Sequence, residues 1–345
     1  MTGKELILKA MKFEKTPRLP VAILDGYVWM LKRKGLSFKD LAEMEDCGAS
    51  VAIEGYDDMG SDMVTPNIHS FNHIFEVMGG TVSWDKKGEP FEIIVPPLKE
   101  MSDIERYNID EVWEKLLDHP GFTASARQLD ILKAHYGDEK LVVAMGVGPL
   151  SLAAMLVGTQ NFMTEIYGEE ELAEKMLGFA TEFIIRHAEM FIAHGADAIF
   201  LADPVASGDL ISPAMFEQYA LPYVQKVTSS LKKYDLPIML HMCGHTAARL
   251  EPLKRAGINA FSLAAVDLKE ALDTARGEYA IFGNMDPFAI LQSKSEEEVY
   301  NICRELGAVA GLEGGYVMMP GCDLAPATAL ENIQAMARAA HDTTD

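Results

Sequence analysis

The sequence predicts an α/β protein: a single (β/α)8, or TIM, barrel over residues 1–345, with an N-terminal helical extension and an inserted β-hairpin. Three observations predict it. Short apolar runs alternate with amphipathic helical patterns, the rhythm of a parallel sheet wrapped by helices. Counting both halves of the chain gives about eight apolar runs, the number that closes a barrel. No glycine-rich dinucleotide fingerprint follows the early runs, which disfavours the open doubly wound sheet that is the main rival.

In chain order, Thr2 and Glu5 stand at capping-box spacing and open a first helix. Residues 19–24 and 49–53 read as the first two strands. Residues 79–95 read as the inserted hairpin, turning at Asp85, Lys86, Lys87 and Gly88. The third strand, 141–146, precedes helical patterns at 151–157 and 169–194. The fourth, 197–202, leads into a helix over 213–234. Strands at 237–242, 260–263, 279–282 and 316–319 follow, separated by helical segments at 247–256, 268–275 and 295–309 and closed by one at 327–341. No linker rich in Pro, Gly or Ser interrupts the pattern, so one domain is expected.

A hydrophobic fraction of 49% supports a large core. The net charge of -22 argues against nucleic acid and anionic membrane surfaces as partners. No apolar stretch approaches the ~20 residues that span a bilayer. Four scattered cysteines are too few for a disulfide framework and suit a reducing cytoplasm. Assembly, a homodimer included, is left open.

The chemistry concentrates on His241, Cys243 and Cys322. The first two end the fifth strand and the third follows the eighth. In a barrel those strand ends share one mouth, where active sites lie. One His and two Cys form a soft set of three protein ligands, which zinc favours where a fourth position stays open. The bland alternative is two small buried hydrophobes and a core histidine. Cys47 and Cys303 lie in helical contexts and read as structural. His245 either orients a ligand or caps the next helix. His69 and His73 have i, i+4 spacing but lack the zincin glutamate, and read as ordinary helix histidines. Asp203 ends the fourth strand, and Glu54, Asp57 and Asp58 follow the second, so all four are expected at the mouth. Asn284 and Met285 stand after the seventh strand, in a tight turn or at the pocket rim. Met239, Met242, Met318 and Met319 read as core packing.

Nearly the whole chain carries marker segments: Thr16-Pro17-Arg18-Leu19-Pro20, Gly148-Pro149-Leu150-Ser151, Ile211-Ser212-Pro213, His241-Met242-Cys243-Gly244, Gly283-Asn284-Met285-Asp286-Pro287 and Pro320-Gly321-Cys322-Asp323. With these it resembles the uroporphyrinogen decarboxylase superfamily, and within it the branch similar to methylcobalamin:coenzyme M methyltransferases. The His-x-Cys plus Pro-Gly-Cys combination is the mark of that zinc branch. The resemblance implies zinc on His241, Cys243 and Cys322. It also implies methylcobalamin as substrate on a partner corrinoid protein, and a small-molecule thiol such as coenzyme M as acceptor. Asp203, Asn284, Met285, Glu54 and His245 are the expected substrate or corrinoid contacts. A first-step methyltransferase that demethylates a methoxy or methylamine donor is the alternative, with a tetrapyrrole-binding protein behind it. The chain departs from relatives at three places. Residues 29–35 lack the arginine-bearing Met-Arg-Gln-Ala-Gly-Arg pattern of the decarboxylases. His245 replaces a common Asn, and Ala264-Ala265 stand where some relatives offer zinc a carboxylate. Water is therefore the expected resting fourth ligand.

Overall fold

The computed structural model describes residues 1–343. Nine strands form: β1 (Met63–Val64), β2 (Thr81–Ser83), β3 (Glu92–Val95), β4 (Leu141–Val147), β5 (Ala198–Ala202), β6 (Ile238–His241), β7 (Ala260–Leu263), β8 (Ala280–Met285) and β9 (Tyr316–Pro320). Seven of them make one parallel sheet in the order β1-β4-β5-β6-β7-β8-β9. The eighth stave is the chain around Val21. It bridges Met318 of β9 in parallel, and its carbonyl accepts the Asp62 N–H at 2.8 Å, beside β1. That segment joins the two sheet edges and closes the barrel.

The first predicted strand is thus this stave, but the second is misplaced. Residues 49–53 belong to a helix, Ala49–Met59, and the true second strand is the two-residue β1. Val51 and Ile53 suggest a strand by their β-branching. The buried Ala49, Ala52, Tyr56 and Met59 instead follow the helical period, and left-handed glycines at 48 and 60 bound the helix at both ends. Glu54, Asp57 and Asp58 consequently sit on this helix rather than at a strand end. Glu54 pairs with Lys34 at 2.7 Å, Asp57 with Lys140 at 2.7 Å, and Asp58 lies 3.9 Å from Arg33.

The predicted hairpin is present as β2 and β3, paired antiparallel. Alternation along each strand sends one set of side chains to the barrel axis. Met63, Val143, Met145, Phe200, Met239, Phe282, Val317 and Met319 form that interior cluster. The first helix, Gly3–Met11, carries the predicted capping box and adds Ile7, Ala10 and Met11 to the same cluster. It seals the N-terminal end, where Gly315 N–H reaches Ala10 O at 2.7 Å. The other strand faces pack under the helices in a second, larger cluster that includes Met242 and Met318. The four methionines flagged in the sequence are therefore buried packing residues. Among the described residues no helix is long and apolar enough to cross a membrane.

Candidate metal centre

With the N-terminal end sealed, the strand ends present their side chains at the opposite rim. His241 is the last residue of β6 and lies two positions beyond the interior Met239. Alternation therefore puts its imidazole on the axis, one layer nearer the mouth. β6 and β7 pair His241 with Ser262, and Ser262 Oγ sits 2.9 Å from His241 Nδ1. Both residues are buried. With Nδ1–H donating to that hydroxyl, Nε2 keeps its lone pair. Nε2 points to Cys243 Sγ at 3.0 Å, and Cys243 Sγ lies 3.0 Å from Cys322 Sγ.

Cys322 is delivered by the turn after β9. Gly321 N–H donates to Met285 O at 2.7 Å, and a Cβ at Gly321 would sit 2.8 Å from Ala264 Cα. Only glycine lets this turn pass so close to the loop after β7. Both cysteines are free thiols, half-buried, and too far apart for a disulfide bond of about 2.05 Å. One donor atom from each of His241, Cys243 and Cys322 lies within 4.8 Å of the others.

The two sulfurs titrate as a pair. The hydrogen bond between the two sulfurs holds the Cys322 thiol well below the ordinary range. That shared hydrogen bond, burial and the Cys322 charge push Cys243 far up. A divalent cation held here would displace the thiol protons. An imidazole locked by a hydroxyl and a pair of sulfurs fit zinc in kind and number, with a position to spare. Asp323, next to Cys322, accepts Gly26 N–H and Leu324 N–H, both at 2.8 Å. Burial, and then the charge of Asp25, raise its carboxyl above the usual range.

The remaining expected contacts divide. Asp203 is fully buried. Its carboxylate accepts Ser151 N–H at 2.7 Å and Ser151 Oγ–H at 2.6 Å, capping the helix Pro149–Val157. Burial raises its pKa, and its own N–H donates to His241 O at 2.8 Å. It is a scaffold residue beside the centre. Met285 is also fully buried, so its side chain is closed to a substrate and its carbonyl does the positioning. Asn284 Nδ2 donates to Val266 O at 2.6 Å and pins the loop after β7. His245 is on the rim, its side chain 79% exposed and its Nδ1 2.6 Å from Asp209 Oδ1. Glu54 lies on the outer helix, paired with Lys34.

His69 and His73 do not act as a pair. His69 packs between Phe38 and Phe91, 3.2 Å from Asp25. His73 opens the next helix and bonds Glu76. Cys303 is buried in a helix, its thiol pushed up to about 12 by burial. Cys47 sits in a turn with φ of 55°, not in a helix. Sequence reasoning missed Ser262. Its signal was a lone hydroxyl in the apolar run Ala260-Phe261-Ser262-Leu263, where a buried polar group needs a partner.

Fold and centre together define a class: a (β/α)8 barrel whose mouth presents one imidazole and two sulfurs to a single point. The chain belongs to the uroporphyrinogen decarboxylase (URO-D) family, which residues 2–343 match. A methylcobamide:CoM methyltransferase, MtbA, of Methanosarcina acetivorans is 28% identical over 345 residues, 98% of this chain and 97% of that one. A uroporphyrinogen decarboxylase of Anaeromyxobacter is 26% identical, with 97% of each chain covered. The solved structure of a methyltransferase from Methanosarcina mazei superposes with a TM-score of 0.86 at 25% identity, covering 98% of both chains.

Proposed function

We propose that this protein is a zinc-dependent corrinoid methyltransferase that moves a methyl group from methylcob(III)alamin, carried by a corrinoid protein, to a thiol such as coenzyme M. The observation that carries the reading is the convergence of His241 Nε2, Cys243 Sγ and Cys322 Sγ. The methyltransferase names of similar proteins support it.

Zinc on these three ligands would supply the Lewis acidity that keeps an incoming thiol deprotonated. The chain's residues do the rest. Ser262 fixes the imidazole, so Nε2 stays aimed at the ion. Cys243 and Cys322 donate electron density that keeps the substrate sulfur nucleophilic. Their half-exposure opens the centre to the mouth, where acceptor and methyl donor meet. The acceptor thiol would give its proton to solvent, its sulfur would bond to the methyl carbon, and the Co–C bond would break with its electron pair left on cobalt as cob(I)alamin.

The decarboxylase reading is weaker at the residue level. Arg33 stacks 4.5 Å over Trp29 and lies 3.9 Å from Asp58, engaged on the outer helices rather than offered to substrate carboxylates. The test is to incubate the protein with methylcob(III)alamin and a panel of thiols and follow cob(I)alamin by absorbance. Cys243→Ser should lose both zinc and transfer. Full activity in a metal-free Cys243→Ser protein refutes the mechanism. Turnover of methoxy or methylamine donors onto cob(I)alamin, with no thiol reaction, would place the protein at the first half-reaction instead.

A further inference from the structure

We propose that His73, Glu76 and His119 form a second divalent-cation site, in the cavity beside the inserted hairpin. This inference stands independently of methyl transfer. The cavity holds about 330 Å³, and none of its lining residues belongs to the His241 centre.

The three side chains come from two elements. His73 and Glu76 lie three apart on the helix His73–Val77, which puts them on one face. His73 Nδ1 and Glu76 Oε2 are 2.6 Å apart. His119 is the N-cap of the helix Pro120–Tyr136. Its Nδ1 lies 3.4 Å from the Phe122 N–H, a bond too long to fix the tautomer, so either ring nitrogen can offer its lone pair. The two imidazole rings stand 4.2 Å apart between centroids, and one donor atom from each of the three residues lies within 4.8 Å of the others.

The surroundings hold these donors in place. Trp84, from the hairpin, stacks on His73 at 4.6 Å and donates its Nε1–H to Glu76 Oε1 at 3.1 Å. A Cβ on Gly121 would sit 2.5 Å from His73 Nε2, so only glycine lets the start of the long helix approach the ring. Two imidazoles this close cannot both carry a proton cheaply. Burial, and then the charge of His73, push His119 below its ordinary value. Two imidazoles beside a carboxylate are an N, N, O set suited to zinc, cobalt or nickel. Three protein ligands leave at least one position, which opens on the cavity. A bound ion would also tie the hairpin and its helix to the start of Pro120–Tyr136.

The test uses the full chain with Co²⁺ as probe, counting equivalents bound and recording the absorption spectrum. The wild type should take two equivalents. C243S/C322S should keep one, with d–d bands but no thiolate-to-cobalt charge transfer. Adding H73Q/H119Q to that variant should abolish binding. H73Q/H119Q alone should lose one equivalent, keep the thiolate charge-transfer band and lose part of the rise in Tm that metal gives. E76Q, the milder change, should weaken the retained equivalent of C243S/C322S at least tenfold, which keeps the test valid if the double-histidine variant misfolds. No cobalt on a folded C243S/C322S protein overturns the proposal. So does an equivalent that survives H73Q/H119Q unchanged. Absence of methyl transfer in wild-type protein that binds both equivalents would sink the proposed activity and leave this site standing.

Discussion

Ser262→Ala removes one oxygen, and its effect can be worked from the geometry. The hydroxyl lies 2.9 Å from His241 Nδ1, and neither residue is open to water, at 0% and 2% exposure. No solvent can replace the lost partner. A buried donor left unpaired costs about 1–3 kcal/mol. In the metal-free protein the ring can turn to recover part of that cost. With an ion on Nε2 the ring is fixed, so the penalty falls on the bound state. Metal affinity should drop about 10–100-fold, or roughly 1.4–2.7 kcal/mol. Zinc titration against a chromophoric chelator measures this directly, with circular dichroism as the folding control. An unchanged dissociation constant would show that His241 needs no orienting partner, and the account of the centre given above would fail.

Other perturbations separate scaffold from site. Phe282→Ala empties a fully buried position beside Phe200, whose ring lies 6.4 Å away. It should cost about 3–5 kcal/mol in urea unfolding. His187 is buried among Phe122, Phe183 and Phe191, and burial alone pushes its pKa down to about 3. The unfolded chain binds the proton first, so stability is intact above about pH 6.5 and falls as pH drops toward the folded value. At pH 5 the deficit is about 2 kcal/mol. His187→Phe should flatten the decline in urea midpoint between pH 7 and 5, and an equally steep decline would acquit His187. Glu54→Ala breaks only an exposed pair with Lys34. Zinc content and methyl transfer should stay at wild-type values, and a loss of either would return Glu54 to the mouth.

What the sequence made legible follows its physics. The late strands stand out because each is a short, continuous apolar run bounded by helical patterns. His241, Cys243 and Cys322 stand out because the barrel rule sends every strand end to one rim. The two-residue β1 has no periodicity to read, and the neighbouring helix offered Val51 and Ile53 as a decoy. That single misreading carried Glu54, Asp57 and Asp58 to the wrong place. Asp203 was placed correctly along the chain, but the side to which its carboxylate turns is set by the N–H groups of a helix more than fifty residues earlier. The His73, Glu76 and His119 cluster joins helices from separate parts of the chain, and spacing alone does not bring them together.

Closure by the stave around Val21 has a consequence for synthesis. That stave leans on β1 early, but its other neighbour is β9, made almost three hundred residues later. Until residues 316–320 leave the ribosome, one flank of the opening segment and one flank of β8 stay unpaired. Cys322 arrives in the same late stretch. A chain cut short before it would carry two sticky edges and lack one of the three donors, so ring closure and assembly of the candidate centre depend on the same segment.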